Sequence, residues 1–289
     1  MIDRYLLRYF LAVIDCGSFS KAARQLNVAQ PSLSVGIGKL ERLLGATLFQ
    51  RSSKRVHITD AGSRLAVHAR RIESEFNLAQ AAVADMTPVR SLRLGVISTF
   101  PIAHLADTVK TAKRSADAER LQIVTGSERE LLQRLGRGQL DVALSIVRSE
   151  SGRFASEGLF SEPYMLALPE SHPMAGESII AAEDLADNAM IVRRHCEVLS
   201  ETSRHFTERG VRPFFAFRGT NDEQVLALVS AGLGVTVMPA CYTMEGVVRP
   251  ALTGFNVTRR MGFLYADHAQ NLRHTASRML EAVRTRYSA

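Results

Sequence analysis

The feature that most constrains this chain is a run of three short helix signals within its first 45 residues. Leu7, Phe10, Leu11 and Ile14 follow the i, i+3, i+4, i+7 spacing of an amphipathic helix. Gly17 stops it. Ser18 or Ser20 can cap a second helix that carries Ala22, Ala23 and Leu26. Asn27-Val28-Ala29 makes a tight turn. Pro31 then suits the first turn of a third helix, where its missing N–H costs nothing. That helix lines up Leu33, Ile37, Leu40 and Leu44 on an inner face and turns Gln30, Ser32, Ser34 and Lys39 outward, and Gly45 ends it.

Residues 49–58 read as two short strands around a basic turn, Ser52-Ser53-Lys54-Arg55, so that Arg51, Lys54 and Arg55 form a wing beside the third helix. Charge is concentrated in the same region. Residues 1–90 hold 13 of the 36 Lys and Arg but 7 of the 29 Asp and Glu, which places +6 of the +7 net charge there. A basic head on a near-neutral remainder suggests an anionic polymer as partner, nucleic acid first; a solvated basic face is the plainer alternative. A helix with an apolar inner face and a polar outer edge can lie in a DNA groove. Thr59 next caps a long helix whose apolar positions Leu65, Ala69, Ile72, Phe76, Ala79 and Val83 alternate four and three apart, a heptad seam that expects a partner helix and hence a dimer. Met86-Thr87-Pro88 closes the helix and begins a hinge.

Beyond residue 90 the pattern changes. Short apolar strand signals over 92–97, 121–124 and 142–146 alternate with helical stretches running to 110 and over 128–135. A strand over 163–169 leads into a second set over 190–192, 214–217 and 235–238, with a helix over 222–231, a returning strand over 261–265 and a final helix over 270–286. Alternation of this kind predicts βαβ units, a parallel sheet and two α/β lobes that hold a ligand in the crevice between them. The chain has the length for two or three domains and, at 46% apolar and 22% charged residues, can bury real cores. No eighteen-residue apolar run suggests a membrane span, and the N-terminus carries no secretory signal, so a cytoplasmic protein without membrane partners is expected. Cys16, Cys196 and Cys241 are too few and too scattered for a disulfide framework or a zinc site.

The stretch from Phe19 to Ser34, the segment Leu40-Glu41 through Gln50-Arg51, and Ile58-Thr59-Asp60-Ala61-Gly62 together resemble the N-terminal domain of LysR-type transcriptional regulators. The resemblance covers the whole layout and is most specific over residues 15–62. It implies a multi-domain chain: a winged helix-turn-helix head over 1–58, a dimerising linker helix over 59–87, and an effector-binding domain over 88–289. The last would comprise two Rossmann-like, periplasmic-binding-protein-like α/β subdomains, one near 91–161 and 267–289, the other near 162–266. It further implies a homodimer or homotetramer on double-stranded promoter DNA, contact with RNA polymerase if the protein activates, and a small coinducer that changes DNA bending. By position Ser20, Gln30, Pro31, Ser32 and Ser34 match the DNA surface, and Arg51 a basic wing position. The chain departs from the family at Val35, Gly36 and Gly38, where long polar side chains are usual; Gly36 and Gly38 are expected to remove base-contacting groups and to shift specificity toward shape and phosphate contacts.

In that family the effector lies between the lobes. The matching positions here are Ser98, Thr99 and Pro101 after the first strand, Thr125 after the second, Ser145 in the third, and Thr220 and Asn221 before a helix. Hydroxyls at a helix N-terminus favour an anion, though they can equally be plain caps. Arg193, Arg194 and His195 could add positive charge, or could be solvated. His195-Cys196 is similar to the reactive pair of the peroxide-sensing branch, in which basic neighbours lower the thiol pKa; where that branch has a second cysteine, this chain has His205, and Cys241 is the other thiol of the domain. Thiol-based sensing through Cys196 is therefore an alternative to plain effector binding, with a half-buried crevice cysteine as the bland reading. A hydrolase or a transporter's solute-binding protein is less in keeping with the residues. No nucleophile elbow, P-loop or dinucleotide fingerprint occurs, and neither an enzymatic activity nor a cofactor or metal is expected.

Overall fold

A computed structural model of the chain describes residues 1–51, 56–83, 91–113, 119–148, 153–275 and 277–287. Three helices open it: α1 (Arg4–Cys16), α2 (Phe19–Gln25) and α3 (Gln30–Leu44). Gly17 ends α1 at φ +62°, a left-handed conformation that glycine adopts without a Cβ penalty. Ser18, not Ser20, is the cap of α2, its hydroxyl accepting from the Lys21 N–H at 3.4 Å. Asn27, at φ +53°, makes the turn into α3. Leu6, Leu7, Phe10 and Val13 of α1 interlock with Leu33, Ile37 and Leu40 of α3 in one buried core. Leu44 was expected in that stripe but is 37% exposed, because the last turn of α3 carries it past the edge of the core. Gly36 corrects a second expectation. It is buried rather than outward, and a Cβ there would come within 2.7 Å of the Tyr9 ring. The close approach of α1 and α3 thus explains Gly36, and of these two glycines Gly38 alone stands over open space.

Strands β1 (Phe49–Arg51) and β2 (Val56–Ile58) pair antiparallel as the stem of the wing. Lys54, Arg55 and the hinge at residues 86–88 lie outside the described residues. Helix α4 (Asp60–Val83) starts on Thr59, whose hydroxyl accepts from the Gly62 N–H at 3.0 Å. Ala66 and Ala69 bury against the head, whereas Ile72 and Phe76 stay substantially exposed.

The larger part of the chain builds β3 (Ser91–Ile97), α5 (Ile102–Ala112), β4 (Arg120–Gly126), α6 (Glu128–Gly136) and β5 (Val142–Ile146). There follow β6 (Ala155–Pro169), β7 (Ile179–Ile180), β8 (Met190–Arg193), α7 (Leu199–Glu208), β9 (Phe215–Gly219) and α8 (Asp222–Ser230). The chain closes with β10 (Thr236–Pro239), β11 (Val247–Val248), β12 (Ala251–Leu252), β13 (Thr258–Tyr265) and α9 (Arg278–Tyr287). The main sheet runs β10-β6-β13-β5-β3-β4. It is mixed rather than parallel. Strands β3, β4 and β5 run together as expected from their βαβ connections, while β6 and β13 return antiparallel.

Two lobes result, each with its own apolar core. Leu94, Val142, Leu144 and Phe263 centre the first; Leu166, Val235, Phe206 and Val225 belong to the second. Strand β6 is common to both. Its first part pairs with β13 and residues 164–167 pair with β10. The expected lobe boundary near residue 161 falls inside this one strand. The expected final helix is broken instead into a 3₁₀ segment, Asp267–Arg273, and α9, and α7 carries no matching expectation from the sequence pattern. The head also rests on the first lobe: Gln139 Nε2 donates to the Ile14 carbonyl at 2.8 Å, and Arg70 of α4 pairs with Asp15 of α1 beside Gly138.

Gly62 should tolerate no side chain. Its would-be Cβ lies 2.5 Å from the Leu48 carbonyl oxygen and 2.7 Å from Ile58. Gly62→Ala is expected to lower stability by about 1–3 kcal/mol through overpacking, read as a smaller midpoint in urea denaturation.

Candidate functional site

On the head, the outer edge of α3 begins with Gln30, Pro31 and Ser32, all exposed, followed by the half-exposed Ser34 and by Val35 at 67% exposure. Ser20, in the first turn of α2, donates to Gln30 Oε1 at 2.9 Å, so the starts of the two helices present one polar surface. Lys39 is exposed on the same helix but turned toward α1: its ammonium donates to the Tyr5 hydroxyl at 3.3 Å and pairs with Asp3 at 3.5 Å. Arg51 closes β1. Five of the expected positions, Ser20, Gln30, Pro31, Ser32 and Ser34, thus cluster around the N-terminus of α3, while Lys39 stands apart from them.

The second candidate lies where β6 and β13 pass from one lobe to the other. Thr99 and Pro101, after β3, are buried there. Cys196 follows β8 and is half-buried. Ser145 is fully buried, and neither its hydroxyl nor that of Ser98 has a hydrogen-bond partner among the described residues. The remaining expected residues are elsewhere occupied or remote. Thr125 is exposed on β4, which ends the sheet; His195 and Thr220 are exposed; and Asn221 caps α8, its Oδ1 accepting from Glu223 N at 2.9 Å and Gln224 N at 3.0 Å. Arg194 is solvated, but Arg193 is only 2% exposed and pairs through Nε with Asp222 Oδ1 at 2.7 Å.

At the centre of this seam is a residue the sequence reading did not single out, Arg259 of β13. Its Nε donates to Glu162 at 2.9 Å, and its Nη1 donates to Glu197 Oε1 at 2.9 Å and to the Thr99 carbonyl at 3.0 Å. Thr99 Oγ1 donates to the same Glu197 oxygen, and the Tyr164 hydroxyl donates to Glu197 Oε2 at 3.0 Å. Burial pushes the Glu197 carboxyl up, but Arg259 and the Thr99 hydroxyl outweigh it and hold Glu197 below the usual carboxylate range. A second carboxylate crosses the seam close by: Glu223 of α8 accepts from the Ile102 N–H at the start of α5, at 3.0 Å. A sequence signal for Glu197 existed, its adjacency to Cys196; for Arg259 and Glu162 there was none, because each lies in a strand whose partners are distant in the chain.

The thiols flank the same network. Burial raises the Cys196 thiol, and the Arg193 guanidinium, 3.4 Å from Sγ, partly offsets this. Burial and Glu162 push Cys241 up to about 12. Cys196 also lines a cavity of about 450 Å³ beneath α7, walled by Leu199, Phe206 and Phe215 and bordered by Arg194 and Arg218. His205 is buried against Phe255, with its Nε2 unpartnered among the described residues. Among the described residues no group of His, Cys, Asp and Glu is arranged to hold a metal ion.

Comparison with known proteins places this architecture. The family model described as "LysR substrate binding domain" matches residues 87–288, and "Bacterial regulatory helix-turn-helix protein, lysR family" matches residues 5–63. A hydrogen peroxide-inducible genes activator of Dickeya chrysanthemi is 30% identical over 84% of this chain and 81% of the relative. The HTH-type transcriptional regulator AlsR of Bacillus subtilis is likewise 30% identical, over 81% and 79%. Among solved structures, a full-length OxyR variant from Pseudomonas aeruginosa superposes with a TM-score of 0.74 at 22% identity, covering 98% of this chain and 95% of that one.

The Arg193–Asp222 pair positions the segment that carries Cys196. Removing one buried partner leaves the other charge uncompensated, so Asp222→Asn is expected to cost about 3–5 kcal/mol in urea or thermal denaturation. Asp222→Glu should recover part of the loss.

Proposed function

The chain belongs to the LysR family of bacterial regulatory helix-turn-helix proteins, a DNA-binding transcription regulator with an effector-binding domain, and from that premise we propose how the two sites divide the work. The head over residues 1–58 reads promoter DNA. Gln30, Ser32 and Ser34 meet base edges and phosphates in the major groove, assisted by Ser20 and Pro31. Exposed Val35 offers an apolar contact of the kind that suits a thymine methyl. Arg51, Lys54 and Arg55 serve the wing, and Lys39 a flanking phosphate. The linker helix, residues 59–87, pairs with a second copy through Ile72 and Phe76, whose exposure on a long helix supports this reading. Dimers assemble into homotetramers in the cytoplasm, and an activating role would add contact with RNA polymerase. No described helix is long and apolar enough to cross a membrane.

The observation that carries the sensing half is the buried polar seam at Thr99, Glu197 and Arg259, made of residues from both lobes of the effector domain (residues 88–289), in which β13 packs into the core of the first lobe rather than the second. A small organic anion entering there would change the angle between the lobes and, through the linker helices, the spacing of the DNA heads. Ser98, Thr99, Pro101 and Ser145 form its wall on one side and Cys196 on the other; Thr125, His195, Thr220 and Asn221 stand farther out.

One observation favours a second reading. Arg193 approaches Cys196 Sγ at 3.4 Å, and several relatives, 29% to 32% identical, are named for induction by hydrogen peroxide. In that reading the Cys196 thiolate attacks a peroxide oxygen and the O–O bond breaks. A sulfenic acid forms on sulfur, and the departing hydroxide takes up a proton as water. AlsR, which carries no such name, is 30% identical, so the response to peroxide itself separates the two readings.

Binding of the full chain to its own promoter region should be specific and should weaken with salt by roughly 0.9 log units per log unit of salt for each phosphate contacted. Ser34→Asp should reduce it about tenfold or more by setting a charge against the DNA backbone. Salt-insensitive binding, or no preference over unrelated DNA, removes the assignment of the head. Peroxide should alter the promoter footprint of the wild type and not of Cys196→Ser if the thiol reading holds; an equal response in both proteins eliminates it.

A further inference from the structure

We infer that Glu197 is the chain's own occupant of an anion subsite between the lobes, an internal competitor that any external carboxylate has to displace. The inference rests on the effector reading of this crevice and names what governs its specificity.

The features of the first lobe that attract an anion are the Thr99 hydroxyl and the N–H groups at the start of α5. In the structure the Thr99 hydroxyl and the Ile102 N–H are already satisfied by carboxylates of the second lobe. Glu197 takes Thr99 Oγ1 together with Arg259 Nη1 at 2.9 Å, and Glu223 takes the Ile102 N–H at 3.0 Å. The Glu197 site is a built one. Arg259 is 3% exposed, and the Glu197 side chain retains 6%. Arg259 forms ion pairs with two carboxylates, Glu162 and Glu197, so the trio carries a net negative charge in a buried place. A further carboxylate would meet that charge and find the donors taken. It gains Arg259, Thr99 and the Tyr164 hydroxyl only as Glu197 withdraws.

Withdrawal has a mechanical consequence. Glu197 lies two residues before α7 and immediately after Cys196, in the segment that follows the end of β8. Its carboxylate links that segment to Thr99, just after β3 of the first lobe. Displacing it frees the start of α7 from the seam, so the identity of the occupant, Glu197 or an outside anion, is coupled to the position of the loop that holds the thiol. Effector affinity is lowered by whatever free energy the internal contact holds.

Removal of Glu197 beyond Cβ deletes the atoms of an acetate, and acetate is therefore the probe. Calorimetric titration of the full-length protein with acetate should show Glu197→Ala binding on the order of tenfold or more tighter than wild type. Acetate should also restore the melting temperature that this variant loses. Glu197→Gln keeps the size and two of the hydrogen bonds without the charge, and secures the test should the alanine variant fail to fold; it too should bind acetate more tightly than wild type, since one repelling charge is gone. Adding Arg259→Met to the glutamine variant should abolish the gain. Acetate affinity equal in wild type and in the folded variants, or lower in the variants, overturns the inference. The titration contains no DNA. Acetate binding that leaves the promoter footprint unchanged would therefore sink the effector reading while leaving the internal competitor in place, and a protein that fails on promoter DNA says nothing against Glu197.

Discussion

The arrangement of the effector domain depends on one guanidinium. Two strands, β6 and β13, pass between the lobes, and where they do so Arg259 holds Glu162 on one side and Glu197 with Thr99 on the other. Strand pairing alone would allow the lobes to pivot, since β6 pairs with β13 in one lobe and with β10 in the next. Arg259 and the carboxylates around it set the angle at which the pivot rests. A buried ion network is a weak source of net stability, because its desolvation cost consumes most of its Coulomb energy. It is a strong source of geometry, because each of its hydrogen bonds fixes a direction. A hinge that must rest in one state and still leave it calls for that combination.

The same logic extends toward the head. The first lobe touches the DNA-binding unit through polar contacts: Gln139 to the Ile14 carbonyl, Arg71 of α4 to the Asp267 carbonyl, and Arg70 of α4, itself paired with Asp15, beside Gly138. The apolar core of the head closes on itself around Phe10, Leu33 and Leu40 and does not merge with that of the lobe. Polar contacts between two separately packed bodies can be exchanged for water at small net cost, whereas an apolar interface of the same size could not. Reorientation of the head relative to its effector domain is therefore accessible without unfolding either body, which regulation of DNA binding by a remote ligand demands.

How far the sequence disclosed this can be judged from particular residues. The stripes Leu7-Phe10-Ile14 and Leu33-Ile37-Leu40 gave the head because helix packing is local and periodic, and the strands at 92–97, 142–146 and 190–192 stood out for the same reason. Errors came where a neighbour remote in sequence decides. Gly36 was read as a lost base contact, yet Tyr9 fills the place its side chain would need. The mixed sheet escaped because a fifteen-residue strand such as β6 shows no change of pattern where it changes partners. Arg193, more in keeping from sequence with a solvated group than with a ligand contact, is buried because Asp222 lies beside it across 29 residues of chain.

The polar seam was the least legible part, and the reason is physical. Apolar burial leaves a periodic trace because every residue on a face must be apolar; an ion network needs only a few residues of complementary charge, placed anywhere the fold brings them together. Thr99, Glu162, Glu197 and Arg259 lie in four separate segments and satisfy one another only after both lobes have formed. Of the two hydroxyls after β3, Thr99 meets a carboxylate and Ser98 has no hydrogen-bond partner among the described residues. What the sequence concealed was the donor of the carboxylate. Electrostatic demand at a site can be inferred from its own residues, but who meets that demand is a property of the tertiary structure, and here the second lobe meets it from within.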